Sequence, residues 1–228
     1  MVYPSVKGYD EWASVKERIR DSEVLVAIPS KNSAPTIAYV VYNAVEGLGA
    51  IGVKGAVVVV DGLSSDATVN VVNALKSELE GRVFIIPNTV SPGKGGAMKL
   101  AVDIAYKLNV DTLIFLDSDL RSITHEWIIL LHKATKTCGF AKPLYKRDRY
   151  DATITNFVAR PLTTMAFLVN INQPIGGEFG LGRELITHLS RRAPWYSVYW
   201  NLLFGSRHIH NINSTSPRHN AMPSTPGL

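Results

Sequence analysis

The sequence contains a single cysteine, Cys138, and no apolar run of the about 18 residues that a membrane-spanning helix needs. One cysteine excludes a disulfide within these 228 residues and suits a reducing, cytoplasmic location. The amino-terminal stretch MVYPSVKGYDEW is neither basic nor followed by an apolar segment, so we expect no export signal. A hydrophobic content of 46% is typical of a globular domain, and Cys138 is expected to lie within a strand.

The sequence has no large excess of one charge, but its net charge of +5 is unevenly distributed. Residues 1–141 contain 14 Lys and Arg against 15 Asp and Glu, whereas residues 142–228 contain 10 against 4. The basic second part suits an anionic ligand. It lacks the dense Lys and Arg stripe with interleaved aromatic residues expected of a nucleic-acid binder, so we expect no nucleic-acid partner.

Short apolar runs alternate with amphipathic segments over the first part of the chain. Strands are predicted at 23–30, 54–62, 82–87 and 113–116, and helices at 33–49, 66–79, 93–108 and 124–134. Continuous apolar strands alternating with helices predict an α/β fold with a mostly parallel, Rossmann-like sheet and helices on both faces. Beyond residue 142 the alternation fails. There we expect a helix interrupted or started near Pro161, and a glycine-rich turn before a last helix within 173–190.

Polar residues follow each predicted strand. The segments are PSKN, DGLSSD, PNTVSPGKGG and DSD. Because ligands of such folds bind at the carboxyl ends of the strands, these segments predict one site at one edge of the sheet.

Asp117 and Asp119, separated by Ser118, follow the fourth predicted strand. Two carboxylates this close can share one divalent ion or divide metal and ribose contacts, and their hard oxygen atoms suit Mg²⁺ or Mn²⁺. The alternative is a pair of carboxylates that cap the next helix or lie solvated in a turn. Their place after a buried strand favours the metal site.

Lys94 lies among glycines immediately before a helix, in SPGKGGAM. Glycines let the backbone approach a phosphate, and a lysine adds positive charge at a helix amino terminus that already favours anions. Gly95 stands where a Walker A loop has Ser or Thr, so this is not such a loop. A flexible loop with a solvent-exposed lysine remains the alternative.

Asp61 ends the second strand and can accept a hydrogen bond from a base or ribose, as can Asn32 and the backbone near Pro29 and Ser30 at the first strand. Asp66 is better explained as a helix cap. Together the strand ends predict a nucleoside diphosphate bound with a metal ion.

The motifs AIPSKN, VVDGLSSDAT, PGKGGAM, FLDSDL and QPIGGEF, in this order, resemble those of GT-A glycosyltransferases. The last four together resemble the glucosyl-3-phosphoglycerate synthase family, over roughly residues 23–196. The resemblance implies a GT-A domain over 1–205, with a donor-binding half at about 23–120 and an acceptor-side half at 121–205. Residues 206–228 are expected to form a disordered tail.

The resemblance also implies an activity. The implied activity is the transfer of a sugar from a nucleoside-diphosphate sugar, UDP-glucose or similar, to a small anionic acceptor such as 3-phosphoglycerate. The transfer depends on Mg²⁺ or Mn²⁺ and retains anomeric configuration, with no dedicated base. A homodimer is a further expectation.

The site residues implied by the resemblance fall into three groups. Nucleotide-sugar contacts are assigned to Pro29, Ser30, Asn32, Asp61, Gly62, Lys94, Asp117 and Ser118, and metal binding to Asp119 and Asp117. Sugar or acceptor contacts are assigned to Thr155, Arg160, Gln173, Gly176 and Gly177, and Glu178 is the candidate catalytic residue.

Two departures leave alternatives open. Thr153 replaces an arginine of the family's acceptor region, so an inverting family-two transferase with another acceptor stays possible. The match ends before the strand whose histidine completes the family's metal site, and we expect neither His208 nor His210 to replace it. We therefore expect a shortened or altered carboxy-terminal part, and a donor-binding protein with impaired or no catalysis is the second alternative.

Two other enzyme classes fit less well. A phosphohydrolase of the haloacid dehalogenase type carries its aspartates on the first strand, with Thr or Val where this chain has Arg121. A nucleotidyltransferase needs a glycine-rich loop after the first strand, and PSKNSAP contains no glycine.

Overall fold

Four parallel strands form the centre of the computed structural model, which describes residues 6–79, 81–143, 153–167 and 174–191. Its strands are β1 (Val24–Ser30), β2 (Gly55–Asp61), β3 (Val83–Pro87), β4 (Thr112–Phe115), β5 (Phe140–Ala141) and β6 (Phe179–Gly182). They are arranged in the order β3-β2-β1-β4-β6-β5. The first four pair in parallel, whereas β6 is antiparallel to both β4 and β5.

Helices cover both faces of this sheet. They are α1 (Trp12–Arg18), α2 (Ile37–Ile51), α3 (Thr68–Glu78), α4 (Lys94–Leu108), α5 (His125–Cys138), a π-helix (Thr155–Ala159), α6 (Arg160–Phe167) and α7 (Arg183–Ser190). None of the helices within the described ranges is long and apolar enough to cross a membrane.

Two apolar cores explain why β1 is buried along its whole length. Leu25 and Ala27 face a core shared with α1, α4 and α7. Val24, Val26 and Ile28 face the other core, shared with α2, α3 and α5. Because successive strand side chains point to opposite faces, a strand between two cores must be apolar at every position. The predicted mostly parallel α/β architecture is confirmed.

The prediction that Cys138 lies within a strand is wrong, because Cys138 is the last residue of α5. Gly139 follows it with a φ of 73°, and this left-handed conformation, which glycine adopts without strain, ends the helix just before β5.

Among the described residues beyond 142, one element was missed by sequence reasoning. The predicted glycine-rich turn before α7 includes β6, a strand of sequence FGLG held by pairing on both sides. Residues 153–167 are continuously helical, and the π-helix just before Pro161 interrupts the α-helical hydrogen bonding, in agreement with a helix interrupted near this proline. The predicted tail at 206–228 lies outside the described residues.

The contact between α2 and α5 gives a prediction about stability. A Cβ at Gly47 would lie 2.6 Å from Ile128 Cβ and 2.8 Å from the His125 carbonyl oxygen, whereas at Gly49 its nearest neighbour is Arg82 Nη1 at 4.0 Å. We expect Gly47→Ala to lower the free energy of unfolding by about 1–3 kcal/mol through overpacking. Gly49→Ala, in the same helix, is expected to raise it by about 0.5–1 kcal/mol. Urea unfolding followed by circular dichroism measures both, and equal effects would contradict the packing argument.

Candidate active site

The carboxyl ends of β1, β2 and β4 form one rim, because these strands are parallel. Ser30 is paired with Asp61, and continuing the β1–β4 register by two residues brings Pro29 opposite Asp117. Beside this rim lies an open cleft of about 460 Å³. The sequence-predicted site residues that line this cleft are Pro29, Ser30, Asn32, Gly62, Lys94, Asp117, Ser118 and Asp119. The structure therefore brings most of the predicted donor and metal residues together, and their ligand contacts remain predictions.

Lys94 and Asp117 form an ion pair between the glycine-rich loop and the end of β4. Lys94 is the first residue of α4, so its ammonium lies at the positive end of the helix. The side chains of Lys94 and Asp117 are 33% and 26% exposed, and such partly exposed pairs contribute little stability, typically about 0–1 kcal/mol. The pair therefore matters more for the position of the two charges than for the stability of the fold.

Gly177 packs directly against the Asp117 carboxylate. Continuing the antiparallel β4–β6 register by two residues places Gly177 opposite Asp117. A Cβ at this glycine would overlap both carboxylate oxygens of Asp117. The absence of a side chain here allows the loop before β6 to reach the rim.

Ser118 connects the rim to the start of α2. Its buried hydroxyl lies 2.7 Å from Ser33 Oγ, and its carbonyl oxygen accepts a hydrogen bond from Thr36 Oγ1 at 2.8 Å. Ser33 and Thr36 also line the cleft, and sequence reasoning missed both. These two contacts fix the backbone between Asp117 and Asp119.

The carboxylate of Asp61 is fully buried and already accepts three hydrogen bonds. Tyr9 OH donates at 2.6 Å, and Ser64 donates from its backbone N–H at 2.7 Å and from its hydroxyl at 2.6 Å. Burial, together with the bond to Asp61, raises the pKa of Tyr9 above its ordinary value. Asp61 is not among the cleft-lining residues, and its predicted contact with a base or ribose stays a prediction.

Asn32 and Asp66 hold the loops around the cleft. Asn32 has a left-handed backbone with a φ of 53°, and its Oδ1 accepts from the Ser65 N–H at 2.9 Å. Asp66 accepts from the N–H of Thr68, the first residue of α3, at 2.9 Å and from the Ala34 N–H at 3.1 Å. The predicted role of Asp66 in holding the start of a helix agrees with these contacts.

Lys142, a residue not singled out from the sequence, lies on the other side of the rim. It follows β5, and its Nζ donates to the carbonyl oxygens of Gly176 at 2.8 Å and Pro174 at 3.2 Å. Burial lowers the pKa of Lys142 to about 8, Glu178 and Asp117 act to raise it, and Lys94 acts to lower it. No signal in the local sequence identifies Lys142, because β5 before it has only two residues.

The remaining sequence-predicted residues are more dispersed. Glu178 is 5% exposed and precedes β6, and Thr155 is buried in the π-helix. Neither Thr155 nor Arg160, the first residue of α6, lines the cleft. Gln173 lies outside the described residues.

Arg121 and Lys31 add positive charge to the cleft. Arg121 follows Asp119 by two residues, and Lys31 follows the end of β1. Their positions after strand ends were the signal that could have identified them.

Asp117 and Asp119 are the carboxylates of the cleft that could hold a metal ion. Within the described ranges, no group of three or more His, Cys, Asp or Glu residues is close enough to bind one. His208 and His210 lie outside those ranges.

A protein-family model described as "Mannosylglycerate synthase, GT domain" matches residues 24–194, about three quarters of the chain. The chain belongs to this glycosyltransferase family. The predicted glycosyltransferase is thus confirmed at the level of the family. A comparison with curated proteins gives no significant match.

Solved structures of two related enzymes have the same fold. Glucosyl-3-phosphoglycerate synthase from Mycobacterium tuberculosis, crystallised with Mn²⁺, UDP-glucose and phosphoglyceric acid, is 23% identical with a TM-score of 0.64. That match covers 92% of this chain and 74% of the other. Mannosyl-3-phosphoglycerate synthase from Rubrobacter xylanophilus is 24% identical with a TM-score of 0.59, covering 76% of this chain and 56% of the other. The predicted GT-A fold is confirmed.

The lowered pKa of Lys142 predicts a dependence of stability on pH. From the folded-state pKa of about 8 up to 10.5, its ordinary value, the unfolded chain binds more protons at this residue than the folded chain. The free energy of unfolding therefore rises with pH in this window. We expect the difference in this free energy, wild type minus Lys142→Met, to increase by about 2 kcal/mol between about pH 7.5 and 9.5 in urea unfolding.

Lys133→Met is the control for this measurement, because Lys133 is an exposed lysine on α5. Its difference from wild type should stay constant over the same pH range. A constant difference for Lys142→Met as well would contradict the lowered pKa.

Proposed function

We propose that the chain transfers a hexose from a nucleoside-diphosphate sugar, UDP-glucose or similar, to a small phosphorylated acceptor such as 3-phosphoglycerate, with Mg²⁺ or Mn²⁺. The observation that carries the proposal is a single cleft lined by Lys94 at the start of α4 and by Asp117, Ser118 and Asp119 after β4. Membership of the mannosylglycerate synthase family supports the reaction class. The M. tuberculosis relative, crystallised with Mn²⁺, UDP-glucose and phosphoglyceric acid, supports the ligand classes.

The end of β1 is proposed to bind the nucleoside. Pro29, Ser30 and Asn32 line the cleft beside Gly62, which follows β2. The Ser30 hydroxyl is buried and has no hydrogen-bond partner among the described residues. A buried hydroxyl without a partner is costly, and a donor or acceptor on the nucleoside would satisfy it.

The start of α4 is proposed to bind the diphosphate. The free N–H groups and the dipole of a helix amino terminus favour anions, and Lys94 adds a full positive charge. Arg121 lies in the same cleft and can donate to a phosphate through its planar guanidinium. These cations stabilise the negative charge that develops on the leaving diphosphate.

Asp117 and Asp119 are proposed as the protein ligands of the metal ion. Both line the cleft, and their oxygen atoms are the ligand type that Mg²⁺ and Mn²⁺ prefer. A divalent ion held there supplies positive charge to the diphosphate. Ser118 keeps the two carboxylates in place through its contacts with Ser33 and Thr36.

The acceptor is proposed to lie on the side of β6 and α6. Gln173, Gly176, Gly177, Thr155 and Arg160 are the proposed contacts there. Glu178 is the proposed carboxylate beside the sugar, where it can orient hydroxyl groups or stabilise positive charge at the anomeric carbon. We propose retention of configuration, which the anomeric proton coupling of the product would report.

A direct assay tests the proposal. The full chain is incubated with Mn²⁺ and UDP-glucose or GDP-mannose, with and without 3-phosphoglycerate, and hexosyl-3-phosphoglycerate is quantified by mass spectrometry. Product that requires both acceptor and metal supports the proposal. Thermal stabilisation by nucleotide without product would instead support a donor-binding protein without catalysis.

The metal assignment predicts the behaviour of Asp119→Asn. Removing one of two carboxylates should weaken the affinity for UDP in Mn²⁺ by about 10-fold or more, with little change without metal, because a hard cation loses a charged ligand. Isothermal titration calorimetry measures both affinities. Glu17→Gln, at an exposed carboxylate of α1, is the control. Unchanged UDP affinity in Mn²⁺ would refute the role of Asp119.

The diphosphate assignment predicts the behaviour of Lys94→Met. Loss of the ammonium should weaken UDP binding by about 10-fold or more and uridine binding by less than about threefold, because uridine carries no phosphate. Lys99→Met is a matched control, since Lys99 is also ion-paired with an aspartate, Asp103, but within α4. Equal losses for UDP and uridine would indicate that the loop has only a structural role.

A further inference from the structure

We propose that Lys142 is a positioning residue of the transferase site, which holds the loop at 174–177 so that Gly177 stays against Asp117. The inference rests on the proposed function in so far as Asp117 serves the reaction. Lys142 does not line the cleft, so it acts through the loop and not by contact with the donor.

The topology brings Lys142 to this loop. β5 and β6 are antiparallel, as are β4 and β6, so β5 runs in the same direction as β4. Lys142 after β5, the loop before β6 and Asp117 after β4 therefore meet at the same rim. The hydrogen bond from Lys142 Nζ to the Gly176 carbonyl oxygen joins residues that are 34 positions apart in the chain.

Two hydrogen bonds from one ammonium fix the loop. Lys142 Nζ donates at 2.8 Å to Gly176 and at 3.2 Å to Pro174, so it takes up two carbonyl groups within three residues. A glycine-rich segment has high backbone entropy in the absence of such contacts. The bonds end one residue before Gly177, whose backbone contacts the Asp117 carboxylate.

Asp117 is thereby enclosed from two directions. Lys94 pairs with its Oδ1, and Gly177 packs against both of its oxygens. If the loop moved away, the carboxylate would be free to rotate while keeping its ion pair with Lys94. The orientation of the proposed metal ligand thus depends on the loop and, through it, on Lys142.

The surroundings of Lys142 act on its charge in both directions, and their net effect is a lowered pKa. Glu178 and Asp117 both act to keep the ammonium charged, and Nζ lies 5.8 Å from the centre of the Phe179 ring. Burial and the charge of Lys94 act in the opposite direction. Burying a lysine costs free energy even when carbonyl groups accept hydrogen bonds from it. This cost favours a role of Lys142 at the site over a purely structural one.

The experiment compares the full wild-type chain with Lys142→Met, Lys142→Arg and the control Lys133→Met. Hydrogen exchange of residues 174–182, measured by mass spectrometry, should speed up about 10-fold or more in Lys142→Met, with exchange in β1 and β2 unchanged. This measurement requires no activity, and unchanged exchange overturns the inference.

Kinetics provide the second measurement. With UDP-glucose, 3-phosphoglycerate and Mn²⁺, we expect kcat to fall about 30-fold or more in Lys142→Met. The reason is that a misoriented Asp117, the proposed metal ligand, would misalign the donor with the acceptor. The affinity for uridine should stay within about threefold, because the proposed nucleoside site at the end of β1 does not include this loop. Lys142→Arg can donate to both carbonyl groups, so its kcat should be at least about threefold higher than that of Lys142→Met. Faster exchange with unchanged kcat overturns the inference, as does equal loss of uridine binding.

Failure of the proposed function is distinguishable from failure of this inference. If the wild-type chain gives no product, the proposed transfer fails. The inference is then judged on loop exchange and on the affinity for UDP in Mn²⁺. Faster exchange together with weaker metal-dependent UDP binding in Lys142→Met supports it, and unchanged UDP binding overturns it.

Discussion

The antiparallel pairing of β6 with β4 is the constraint on which the rim depends. It brings the loop before β6 alongside the end of β4, where Gly177 packs against the Asp117 carboxylate. Any side chain at Gly177 would occupy the space of that carboxylate, so the glycine and the strand register must occur together. The parallel strands alone bring Lys94 and Asp117 to the same cleft. The antiparallel strand joins the second part of the chain to them.

The donor side of the site could be predicted from the sequence because its geometry follows from local patterns. Continuous apolar runs predict buried parallel strands, and parallel strands deliver their carboxyl ends to one edge. Ser30, Lys94 and Asp119 could therefore be placed together from their positions after predicted strands or before a helix. The α/β alternation, set by short-range periodicity, was predictable for the same reason.

The rest depends on contacts between residues distant in the sequence. β6 reads FGLG, and its two glycines give no strand signal, because pairing with β4 and β5 rather than propensity stabilises it. Lys142 and Tyr9 are ordinary residues in their local sequence. They gain importance only by meeting the loop carbonyl groups and Asp61 in the folded chain. Cys138 was misassigned because α5 continues to Cys138, about one turn beyond Ala134, where the predicted helix ends.

The charges at the rim explain why a divalent ion belongs in the proposed mechanism. Lys94 is paired with Asp117, and Lys142 lies near Glu178, so the two lysines and two carboxylates nearly cancel. A diphosphate approaching this group would gain little from Lys94 alone. Asp119, exposed two residues after Asp117, adds a negative charge that Lys31 and Arg121 of the same cleft offset in total, but a carboxylate directly beside a phosphate is still repulsive unless a cation lies between them. An aspartate beside a bound diphosphate therefore weakens diphosphate binding in a metal-free site, whereas in a metal-dependent site it binds the cation that attracts the diphosphate.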